Sequence, residues 1–116
     1  MLNQRRKAGR HVAQNLFQAE TDIDKAICSA AGLMVAMLTA RQEAGLSATI
    51  GQDAMAKTAR IVAALVEGRE QIVATHHELD ATRKQIGLDA SDYGSGGGKY
   101  PVEGQSGLHV VGTKAA

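Results

Sequence analysis

The stretch AMAKTARIVAALVEGREQIVATHHELDATRKQIGL, residues 54–88, decides the fold. Ala54, Thr58, Ile61, Leu65, Gly68, Ile72, Thr75, Leu79, Thr82 and Ile86 recur at alternating spacings of 4 and 3, which gathers side chains into one stripe along an α-helix. From Ile61 onward large members alternate with Gly or Thr. A small residue lets a second helix approach and a large one opposite fills the space, so the stripe reads as packing specified by size. Met55, Val62, Val66 and Val73 widen it, whereas Lys57, Arg60, Glu67, Arg69, Glu70, Glu78 and Lys84 lie away from it and belong in water.

A second stripe of the same period precedes it: Val12, Leu16, Ala19, Ile23, Ala26, Ala30, Leu33, Met37 and Ala40, flanked by Ala13, Phe17, Ile27, Ala31, Met34 and Leu38. The combined apolar face is wider than a two-stranded seam, as expected of a helix inside a bundle. It includes AICSAAGLMVAMLTA, residues 26–40, an uncharged run shorter than the roughly 17–25 residues that span a bilayer. The expectation is a helix buried on most sides, with Cys28 as an inert buried thiol and no membrane partner.

Both periodic stretches end alike, in RQEAGL (residues 41–46) and RKQIGL (residues 83–88). A glycine just past the last helical residue takes the left-handed conformation that closes a helix, so Gly45 and Gly87 are the predicted stops. Ser47 is the expected N-cap of the second helix, with Asp53 as the competing start. So brief a connection makes the helices antiparallel neighbours.

The chain is 116 residues with a net charge of +1, only three aromatic residues and an Ala-rich apolar fraction, which favours helix over sheet. After Leu88 the composition turns Gly-rich, with the only proline at Pro101, a character that cannot bury enough apolar surface to offset its conformational entropy. Within that segment GLHVVG (residues 107–112) is a short apolar island, and GSGGGKY (residues 94–100) lacks the spacing and the hydroxyl residue of a phosphate-binding loop. The expected fold class is all-α: a long antiparallel two-helix hairpin that completes a four-helix bundle by dimerisation. Residues 1–9 form a basic flexible arm, a helix runs from about 10 to 44, a turn covers about 45–50, a helix runs from about 48 to 86, and residues 89–116 form a disordered tail.

Two helices offer each other too little cover, and the excess apolar surface calls for self-association or a protein partner. The residues expected in that core or interface are Leu16, Ile23, Ile27, Leu33, Met37, Ile61, Leu65, Ile72, Leu79 and Ile86. Arg5, Arg6, Lys7 and Arg10, with no acid among the first eleven residues, are candidate phosphate contacts for weak, salt-dependent nucleic-acid binding. Glu20, His76 and Asp80 are candidates for one polar layer, because the antiparallel register brings Glu20 near His76, and His76 and Asp80 share a helix face.

HHELDAT, residues 76–82, resembles over about five residues the phosphoacceptor box of sensor histidine kinases, which would make His77 the acceptor on a helical hairpin. It departs from that box in lying on the second helix and in lacking the proline that follows. With a single cysteine there is no disulfide or cysteine-cluster metal site, and no nucleophile–base set or paired-carboxylate cleft can be assembled. The reading is a cytoplasmic, non-enzymatic interaction module without a cofactor, homodimeric through its hairpin. The alternatives are a nucleic-acid accessory protein and a chaperone or secretion adaptor that receives a client on the apolar face.

Overall fold

A computed structural model describes residues 1–89 of the chain. It contains two long helices, α1 (Leu2–Glu43) and α2 (Gln52–Gln85), packed antiparallel as an extended hairpin whose longest dimension is 66 Å. The Gly-rich segment expected to be a disordered tail, with its apolar island, lies outside the described residues apart from Asp89.

The helix stops have the same construction. The Gly45 N–H donates to the Gln42 carbonyl and the Leu46 N–H to the Arg41 carbonyl; Gly87 and Leu88 repeat this on Lys84 and Arg83, at 3.1–3.2 Å in all four bonds. These paired 5→2 and 6→1 bonds satisfy carbonyls that the end of a helix leaves bare. Gly45 and Gly87 take φ of 65° and 75°, where an L side chain is strained. In each stop the arginine also donates from Nη1 to the carbonyl of the closing leucine, Arg41 to Leu46 at 3.0 Å and Arg83 to Leu88 at 2.8 Å. The shared RxxxGL pattern therefore encodes a C-terminal lock made by backbone and side chain together.

Two expectations about boundaries change. Residues 1–9, expected as a flexible arm, continue α1 from Leu2, because Leu, Gln, Arg, Lys and Ala are good helix formers and no proline intervenes. Ser47 is not the cap of α2: the Ile50 N–H bonds the Ser47 carbonyl in a separate turn, and Gly51, at φ 80°, then starts the helix at Gln52 with Asp53 in its first turn.

The seam between the helices is narrower than the sequence pattern implies. On α1 the covered or half-covered positions include Arg6, Ala13, Glu20, Ile27, Met34 and Arg41 in one heptad column and Gly9, Leu16, Ile23, Ala30 and Met37 in the other. On α2 they include Met55, Val62, His76 and Arg83 in one and Thr58, Leu65, Ile72 and Leu79 in the other. This is the 3.5-residue repeat of a two-stranded coiled coil, running almost the whole hairpin. No large side chain is fully buried among the described residues, and the buried apolar residues are Ala13 and Leu88 alone. The uncharged run 26–40, expected to be buried on most sides, is therefore covered along one edge only, and Cys28 points outward and is exposed.

Replacing Gly45 or Gly87 with Ala should cost about 1 kcal/mol, because the positive φ remains and the new Cβ resists it. Gly32→Ala, at an exposed helical site with nothing within 4 Å of the new Cβ, should instead stabilise by up to about 1 kcal/mol. Urea denaturation of the three variants at one protein concentration checks both signs.

Candidate functional site

Two features of the hairpin are candidates for function: a polar layer in the seam and an apolar surface outside it. In the polar layer, His76 Nδ1 lies 3.0 Å from Glu20 Oε1, with the two side chains 22% and 10% exposed. Phe17 packs beside the imidazole at a ring-centroid separation of 6.1 Å, and His77 meets it edge-on at 6.2 Å. A carboxylate so placed needs a donor to offset its desolvation, and the His76 N–H supplies one across the two helices. Since a one-residue slip would separate them, the pair sets the register of the hairpin.

Asp80 does not join that layer. It accepts from Arg83 Nε at 2.9 Å and Nη2 at 2.7 Å, and Lys84 Nζ lies 3.2 Å from its other oxygen. The hydrogen bond from Arg83 holds the Asp80 carboxyl below its ordinary value, against a smaller opposing push from burial and with help from Lys84. Arg83 is thus clamped at its base by Asp80 while its tip closes the α2 stop, a support Arg41 lacks because Leu38 stands three residues before it.

Beside the layer, Glu20, Asp24, Ile23, Arg69, Ile72 and Val73 line a shallow groove of about 170 Å³, bridged by a 2.7 Å Arg69–Asp24 ion pair. Both partners of that pair are more than half exposed, so its contribution is at most a few tenths of a kcal/mol. Among the described residues no three His, Cys, Asp or Glu side chains converge as metal ligands. His77, the residue marked by the five-residue histidine-kinase resemblance, is exposed on α2.

The basic residues of the N-terminus do not gather on one face. At 100° per residue Arg5, Arg6, Lys7 and Arg10 spread over roughly 200° of the helix, and Arg6 is half-buried on the seam side.

Of the ten residues expected in a core or interface, Leu16, Ile23, Ile27, Met37, Leu65, Ile72 and Leu79 lie half-covered along the hairpin seam. Leu33 and Ile61, each 50% exposed, stand beside it, and Ile86, 40% exposed, continues the Thr58–Leu79 column at the C-terminal cap of α2. Their placement follows from helix geometry. In each helix, the column next to one edge of the seam holds Val12, Ala19, Ala26, Leu33 and Ala40 on α1 and Ala54, Ile61, Gly68, Thr75 and Thr82 on α2. In an antiparallel pair these two columns lie on the same side of the hairpin, as the 3.3 Å approach of Ile23 Cδ1 to a Cβ built on Gly68 indicates. Together with the seam column beside each, these columns form an uncharged strip from Val12 to Ala40 and from Ala54 to Ile86, margined on its outer edges by Asp22, Lys57 and Glu78, while Asp24, Arg69 and Asp80 stand on the other side.

A further apolar hollow of about 390 Å³ at the turn is lined by Met37, Leu38, Leu46, Ile50 and Met55, among others, with Leu46 and Ile50 about half exposed. By length and composition α1 could cross a membrane, since an 18-residue window has a mean hydropathy of 1.5. A helix of a soluble bundle passes the same test when its apolar sides await a second layer. Comparison with protein-family models, curated proteins and solved structures finds no match to this chain.

A double-mutant cycle with Glu20→Ala and His76→Ala should return a coupling of about 1 kcal/mol, as for a hydrogen bond shielded from water. Additive losses would show that the pair contributes only shape.

Asp80 has a lowered folded-state pKa, so its contribution is fully present above its unfolded value near 3.9 and is lost as pH falls through the folded value. Asp80→Asn should therefore destabilise by a few tenths of a kcal/mol at pH 6, the size expected of an exposed pair, and the gap should close towards pH 2. Urea midpoints at the two pH values measure it.

Proposed function

We propose that the protein is a non-enzymatic interaction module that self-associates through its helical hairpin, the hairpin acting as half of a helical bundle. The carrying observation is the uncharged side of the hairpin, on which Val12, Leu33, Ile61 and Ile86 stand 40–50% exposed while no large side chain is fully buried in the described chain. A contiguous surface of this kind is unfavourable in water and marks an interaction site. It runs along both helices rather than forming a pocket, which suits another helical layer better than a small molecule.

A role as a nucleic-acid accessory protein has weaker support, because the four basic side chains at the start of α1 are dispersed around the helix and no aromatic residues accompany them. The adaptor reading uses the same apolar side as the leading one and differs only in the occupant.

Light scattering of the full chain at two concentrations, without detergent, should give twice the 12.1 kDa chain mass at both. Leu33→Glu, which places a charge on the uncharged side while leaving the seam intact, should shift the protein towards monomer. A compact monomer that binds no apolar dye would overturn the proposal. A dye-binding monomer would assign the surface to a client protein, and a chain soluble only in detergent would assign it to a membrane.

A further inference from the structure

We infer that the occupant of the uncharged side is a second copy turned end for end, so that α1 packs on the partner's α1, α2 on the partner's α2, and the two turns lie at opposite ends of the bundle. The inference rests on the self-association reading above and adds its geometry. A two-fold axis can relate two hairpins face to face in two ways. Along the bundle, it places both turns at one end and α1 against the partner's α2. Across the bundle, it reverses one copy against the other.

Residue size along the stripes separates these arrangements. In the hairpin, Glu20 lies opposite His76, and level residues on the two helices have numbers that total about 96. The α1 stripe, Val12 to Ala40, is centred on Ala26, and the level position on α2 is residue 70, the midpoint of Ala54 and Ile86. Reversal about that centre sets Val12 against Ala40 and Leu33 against Ala19, with Ala26 facing its own copy. On α2 it sets Gly68 against Ile72, Thr75 against Leu65 and Ala54 against Ile86, while Ile61–Leu79 and Thr58–Thr82 match like with like. Large residues thus meet small ones in most layers, as close-packed helices require. The same-end arrangement instead brings Leu33 level with Ile61 and Ala40 level with Ala54, crowding one layer and leaving another empty.

Charge selects the same arrangement. The open end of the hairpin carries Arg5, Arg6, Lys7 and Arg10, and the turn from Ala44 to Gln52 is uncharged. Same-end packing would set two basic ends side by side. Reversal places each beside a neutral turn and separates the two by roughly 55 Å, many times the Debye length of about 8 Å at physiological salt.

Single-cysteine variants of the full chain, made in a Cys28→Ser background, test this with a short bismaleimide. Val12→Cys mixed with Ala40→Cys should give a heterodimeric cross-link, whereas Val12→Cys mixed with Thr82→Cys should give essentially none. The reverse outcome would establish same-end packing and overturn the inference while preserving self-association. A dimeric mass with neither pair linked would place the interface on another surface and overturn it too. A monomeric mass for Cys28→Ser would remove the reading on which it rests.

Discussion

A hairpin of two helices can cover only one edge of each, and that constraint governs the molecule. The heptad seam of the described chain is the cover available, and it is assembled from half-buried side chains, with Ala13 and Leu88 as the only buried apolar residues. Such a seam places little area out of water for helices of 42 and 34 residues, each of which must repay the entropy of ordering its backbone. The apolar columns beside the seam therefore gain by packing against something else, and the self-association proposed above is one way to supply it.

The seam also divides labour between its columns. One holds Leu16, Ile23, Ala30 and Met37 facing Thr58, Leu65, Ile72 and Leu79, and it borders the uncharged side. The other holds Glu20, His76, Arg41 and Arg83 among Ala13, Ile27, Met34, Met55 and Val62 and borders the charged side. Polar groups in a narrow seam contribute less to stability than apolar ones would, but they restrict register, because a displaced carboxylate or imidazole loses its partner. Glu20 and His76 do this in the body of the hairpin, whereas the Asp80–Arg83–Leu88 connection lies wholly within α2 and fixes only the stop of that helix.

The repeated RxxxGL stop gives the two helices a common phase. Gly45 and Gly87 are 42 residues apart, a whole number of heptads, so the seam columns fall at equivalent positions before each stop. Each arginine contributes a backbone carbonyl to the stop and a guanidinium to the leucine that closes it. The ends are thereby set by local chemistry, independently of whatever covers the uncharged side.

The sequence by itself determined the helical class, the two stops and the antiparallel hairpin, because a 4-3 repeat and a glycine after a basic last turn are local signals that no distant contact needs to supply. It also brought Glu20 near His76, since a short turn leaves little freedom of register. Tertiary structure decided which of the adjacent apolar columns is used within the chain. The sequence stripes through Leu33 and Ile61 share one column with the observed seam, and only packing shows that the other seam column is the one through Glu20, Met34 and Val62. It also decided that Asp80 turns to Arg83, that Cys28 faces outward and that α2 begins after Gly51. Periodicity reports that a face is apolar; which neighbour covers it depends on the rotation of one helix against another, a property of the pair that neither helix encodes alone.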